Sequence, residues 1–88
     1  TLKYRKKAVN VEARQLNLAN IEQIAEWCNG FVRRREDNFE PSIQIMSLEG
    51  VTTARLNDWV IKGVTGEFYP CRDEVFKLTY EEVNEKKV

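Results

Sequence analysis

Eighty-eight residues leave room for one domain, since a second core could not bury enough surface to stand alone. An apolar share of 42% beside 32% charged residues suits a thin globular structure with much solvated face. Fourteen basic residues balance fourteen acidic ones, which excludes a surface that seeks nucleic acid or anionic lipid as a whole and leaves only a local patch open.

Lys3 to Leu16 alternates, with Val9, Val11 and Ala13 on one side and Asn10, Glu12 and Arg14 on the other, so it predicts a long, half-buried first strand. From Asn17 to Asn29 the period changes. Ile21, Ile24, Ala25 and Cys28 stand at i, i+3, i+4 and i+7 and predict an amphipathic helix of about three turns with a single apolar stripe. Asn20 is the expected N-cap, with Gln23 at capping-box spacing, and Gly30 the expected left-handed C-terminal residue. Trp27, at the edge of the stripe, either closes the core or shows part of its ring to a partner.

Phe31 opens a short segment that becomes Arg33-Arg34-Arg35, and the polar, Pro-terminated run Glu36–Pro41 predicts a mobile loop. Ser42 to Leu48 and Val51 to Leu56 form a hairpin about Glu49-Gly50. Asn57-Asp58 predicts a turn into a strand at Trp59, because Asn tolerates positive φ. Gly63 to Gly66 supplies a second hairpin turn, whose returning arm Glu67-Phe68-Tyr69 ends at Pro70. Acids in Arg72-Asp73-Glu74-Val75-Phe76 favour a single helical turn, and residues 81–88 read as a frayed tail after a domain spanning residues 1–80.

The run Asn57-Asp58-Trp59-Val60-Ile61-Lys62-Gly63, then Gly66-Glu67-Phe68-Tyr69-Pro70-Cys71, then Asp73, Val75-Phe76 and Thr79-Tyr80-Glu81 resembles the C-terminal signature of a family of small phage and prophage proteins. That signature is a Pro-Gly-Asp turn, an aromatic strand, a Gly-Glu-Phe-Tyr-Pro-Cys strand and a closing Phe…Thr-Tyr-Glu. Arg5 to Ala13 is similar to the family's basic first strand, so the likeness spans both ends of the chain. Leu56-Asn57 replaces the Pro-Gly, which keeps a residue tolerant of positive φ but loses the rigid proline. The resemblance implies a phage origin, a fold and a host-cell setting rather than a chemical activity.

With no histidine, the usual acid and base at neutral pH is missing, as are Ser-His and Cys-His pairs. Cys28 and Cys71 lack metal-ligand spacing and read as free thiols, so no metal and no cofactor is expected. Cys71 is the best nucleophile among the residues present, beside Arg72 near a helix start, although a small packed hydrophobe is the plainer reading. Gly63 and Gly66 lack the Lys-Ser/Thr of a phosphate loop. The strongest surface feature is basic: Arg33, Arg34 and Arg35, with Arg5, Lys6 and Lys7, would merge into one patch if the first strand and the strand after the helix were neighbours. Such a patch suits phosphates, RNA or an acidic protein; a solvated edge that deters aggregation is the alternative.

These readings predict an α+β fold, a mostly antiparallel sheet of about five strands with one helix packed on one face. Its expected core is Val9, Val11, Ile21, Ile24, Ile43, Ile45, Trp59, Ile61, Phe68 and Phe76. The expected function is binding rather than catalysis: a small phage-type accessory protein in the host cytoplasm that modulates or inhibits a host or defence protein. The alternatives are a nucleotide- or nucleic-acid-binding module that uses Arg33, Arg34 and Arg35 with Trp27, a Cys71-dependent enzyme, and a structural virion component. No segment approaches the ~20 apolar residues of a membrane span, and the basic start leads into an alternating segment rather than a signal peptide. A sheet edge is compatible with a homodimer.

Overall fold

The computed structural model describes residues 1–5, 7–34 and 40–83. Lys6, Arg35, most of the expected Glu36–Pro41 loop and the tail from residue 84 onward lie outside them. Among the described residues, six strands and two helices run in the order β1 (Glu12–Gln15), α1 (Ile21–Trp27), β2 (Phe31–Arg33), β3 (Ser42–Ser47), β4 (Gly50–Ala54), β5 (Trp59–Lys62), β6 (Phe68–Cys71) and α2 (Asp73–Thr79). The protein is α+β, and its strands form two antiparallel three-stranded sheets, β1-β5-β6 and β2-β3-β4, rather than one sheet of five.

The first strand is far shorter than its alternation predicts, because β5 ends at Lys62 and the turn Gly63–Gly66 carries the chain away. Among the described residues, none before Glu12 has a strand beside it, and Val9 is 54% exposed rather than core. Helix α1 stops after two turns. Its end is a Schellman motif in which Gly30 N–H donates to the Ala25 carbonyl (2.8 Å) and Asn29, at φ +56°, takes the left-handed position expected of Gly30. Gly30 instead allows close approach, since a Cβ there would stand 2.7 Å from Ile43 Cγ2 and 2.9 Å from the Gln44 carbonyl oxygen. Asn20 is the N-cap of α1, as its place predicts, but the reciprocal side-chain bonds of a capping box link it to Asn17 in the preceding turn rather than to Gln23. Asn17 Oδ1 accepts from Asn20 N–H (2.9 Å) while Asn20 Oδ1 accepts from Asn17 N–H (2.9 Å), and the Asn20 side chain makes no cap bond to α1.

One apolar core joins both sheets to α1. Leu16, Ile21, Ile24, Ala25, Cys28, Ile43, Ile45, Ala54 and Val60 are buried in it. The α1 stripe is as the periodicity predicts, and the alternation of β3 puts Ile43 and Ile45 on the inner face. Leu16, Ala25, Cys28, Ala54 and Val60 are core residues that the expected set omits, whereas Val11, Trp59, Phe68 and Phe76 are only half-buried. Val60 and Ile61 point to opposite faces of β5 yet both are fully buried, so the first sheet is covered on both sides. Val60 faces the α1 core; Ile61 shares its face with Trp59, where α2 packs.

Helix α2 is two turns rather than one. It is held by side chains: the Phe76 ring stacks on Trp59 at 4.0 Å and on Tyr80 at 4.9 Å, Trp59 Nε1–H donates to Asp73 Oδ1 (2.9 Å), and the Tyr69 and Tyr80 hydroxyls are 3.2 Å apart. Pro70 does not end its strand. Gly63 N–H donates to the Glu67 carbonyl, so by the alternation of the ladder Pro70 opposite Val60 occupies a non-hydrogen-bonded position, and its missing N–H removes nothing. Asn57 adopts the positive φ expected of it, +76°, and the turn is closed by Arg55 N–H donating to Asp58 Oδ2 (2.9 Å). No helix among the described residues is long and apolar enough to cross a membrane.

Candidate functional site

The alternation that buries Val32, Ile43, Ile45 and Ala54 sends their neighbours to the outer face of the β2-β3-β4 sheet. In register across it lie Phe31, Gln44 and Thr53, then Arg33 beside Ser42 with Arg55 just beyond Ala54, and at the far end Met46 beside Val51. Arg33, Ser42, Gln44, Thr53 and Arg55, with Glu40 and Pro41 at the rim, line an open depression of about 730 Å³. Among the described residues, two guanidiniums against one carboxylate give it a cationic lining, and Ser42, Gln44 and Thr53 add neutral donors and acceptors. Beside it Phe31, Met46 and Val51 are 64%, 61% and 53% exposed, and Leu48 at the β3–β4 turn is fully exposed. Face and depression together form a patch that is apolar at one end and arginine-rich at the other.

Of the residues singled out from the sequence, the described ones fall on separate elements and faces. Arg33 lines the depression, but Arg34 points the other way and pairs with Glu22 of α1 at 2.8 Å, an exposed ion pair. Arg5 and Lys7 belong to the exposed segment before β1, an edge of the other sheet, whereas β2 is an edge of its own sheet. The condition for a merged patch is therefore not met. Lys6 and Arg35 lie outside the described residues. Trp27 is structural: it meets Phe68 edge-on, with ring centroids 5.1 Å apart, and the Arg14 guanidinium sits 4.2 Å from its ring centre. Arg55, Phe31, Gln44 and Thr53 were missed because only the strand register places them beside Arg33. The signal available was the alternation of the β3 segment, which sets Gln44 and Met46 opposite in sense to Ile43 and Ile45.

The Cys71 thiol is half-buried. Partial burial, and then the charge of Asp58, push it above the ordinary thiol value, and neighbouring Arg72 instead pairs with Glu74 at 3.4 Å. Cys28 is buried, and burial likewise raises its thiol. Among the described residues no three Cys, Asp or Glu side chains are grouped to hold a metal ion.

A second concavity, about 850 Å³, runs along the open side of β1 between residues 8–13 and the end of α2. Val9, Val11 and Ala13 form one wall, Trp59 and Phe76 the floor, and Leu78, Tyr80 and Glu81 to Val83 the other wall. No family model matches the chain, and neither a curated protein nor a solved structure matches it significantly.

Proposed function

We propose that this chain is a small accessory binding module that works by protein contact through the outer face of the β2-β3-β4 sheet. The observation that carries the reading is the pairing on one face of exposed Phe31, Met46 and Val51 with the cationic depression of Arg33 and Arg55. Exposed apolar side chains beside arginines are the composition of a protein-binding patch, and they favour a partner surface that is apolar at its centre and acidic at one rim. The phage-like signature of the C-terminal half makes that partner a host or defence protein, whose activity the module modulates or inhibits in the host cytoplasm.

A second reading rests on the same depression. Two guanidiniums over Ser42 and Gln44, with the Phe31 ring one row away, offer a phosphate clamp and a stacking surface for a nucleotide or single-stranded nucleic acid. Capture from host lysate, with and without nuclease, separates the two. The baits are wild type, Phe31→Ser/Met46→Ser and Arg33→Glu/Arg55→Glu. A protein that survives nuclease and is lost with both variants supports the module. Nucleic acid alone, lost with the arginine variant, replaces it with the second reading. Retention by both variants removes this face from either role.

A further inference from the structure

Independently of that face, we propose that the chain forms a two-fold homodimer in which the arm before β1 of each copy lies along the open β1 edge of the other and fills the groove beside it. The arm carries strand alternation through Val9 and Val11 but, among the described residues, has no strand beside it, and β1 pairs there on one side only. Leu16 N–H donates to the Asp58 carbonyl, so alternation along the ladder turns the backbone N–H and C=O of Ala13 away from β5, toward the open edge. An edge of this kind is a template for one more strand. Trp59 and Phe76 line the groove with Val9 and Val11, so a second copy of the arm meets apolar side chains along it. Charge selects the occupant. Glu81 and Glu82 line the far wall, where Lys77 is already paired with Asp73 at 3.0 Å, while the arm brings Lys3, Arg5 and Lys7, so each copy holds both halves of a complementary pair. An isologous contact uses both halves twice and closes on itself.

The test is sedimentation velocity on the full chain over a roughly hundredfold concentration range. Wild type is expected to approach twice 10.3 kDa. Glu81→Lys/Glu82→Lys should raise the dimer dissociation constant at least about tenfold, and adding Lys3→Glu, Arg5→Glu and Lys7→Glu to the same chain should restore it, a result that mere unfolding does not produce. Ala13→Pro, at a position that makes no ladder bond to β5, should also weaken the dimer while circular dichroism stays native. A monomer at every concentration overturns the proposal. So does a dimer indifferent to the charge reversals and to Ala13→Pro, and so does a different polypeptide recovered on the groove in place of a second copy.

Discussion

Gly30 shows how much one residue decides. It follows the left-handed Asn29 that ends α1, and the space a side chain would need is held by the buried Ile43 and by the backbone of Gln44. Neither neighbour is the free end of a flexible chain, so Gly30→Ala forces strand β3 away from the helix and is expected to destabilise the fold by about 1–3 kcal/mol. Urea unfolding followed by circular dichroism measures it, and an unchanged midpoint would show that β2 and β3 yield freely. Arg33 and Arg34 make the complementary point. Adjacent residues on a strand face opposite ways, so one lines the outer depression and its neighbour ties back to Glu22 on α1.

Helix α2 is attached through the side chains of Trp59, Phe76, Asp73, Tyr69 and Tyr80. Burial, and then the hydrogen bond to Tyr80, push the Tyr69 phenol up to about 12. A folded-state value above the unfolded one means that the contribution is fully present below the unfolded value of about 10 and is lost as pH rises toward 12. Stability of the wild type should therefore fall more steeply than that of Tyr69→Phe between those limits, as followed by urea midpoints across the alkaline range. Parallel curves for the two proteins would show that this contact does not hold α2. Asp73 works at the opposite end of the scale: the Trp59 indole N–H and then Lys77 hold its carboxyl below the usual carboxylate value, so its contribution disappears only in acid.

For the whole molecule, the decisive fact is that both sheets and α1 share one core, although no strand of one sheet is hydrogen-bonded to the other. A small domain with a single shared core unfolds as a unit. Ile43→Val, in the second sheet, is thus expected to remove about 0.5–1.5 kcal/mol and to shift the Trp fluorescence transition, which reports on Trp27 and on Trp59 under α2, together with the circular dichroism transition. Two separated midpoints would mean that the sheets unfold independently. The same architecture leaves one candidate surface on each sheet: the outer face of β2-β3-β4 and the β1 edge with its groove.

Local periodicity by itself determined the α+β class, the α1 stripe, the inward turn of Ile43 and Ile45, the Asn57 turn and the start of β5 at Trp59, because each depends on residues within a few positions of one another. Tertiary structure alone decided the rest. Alternation cannot say how far a partner strand extends, so the first strand shrank to the length of β5, and Val9 left the core. Nor can it count the layers over a sheet, so the expected core holds Ile61 and omits its neighbour Val60, although α1 and α2 cover both sides of β5. The candidate site lies beyond its reach for the same reason: Arg55 is far from Arg33 in sequence, and only the registers of β2 on β3 and β3 on β4 bring them to one face.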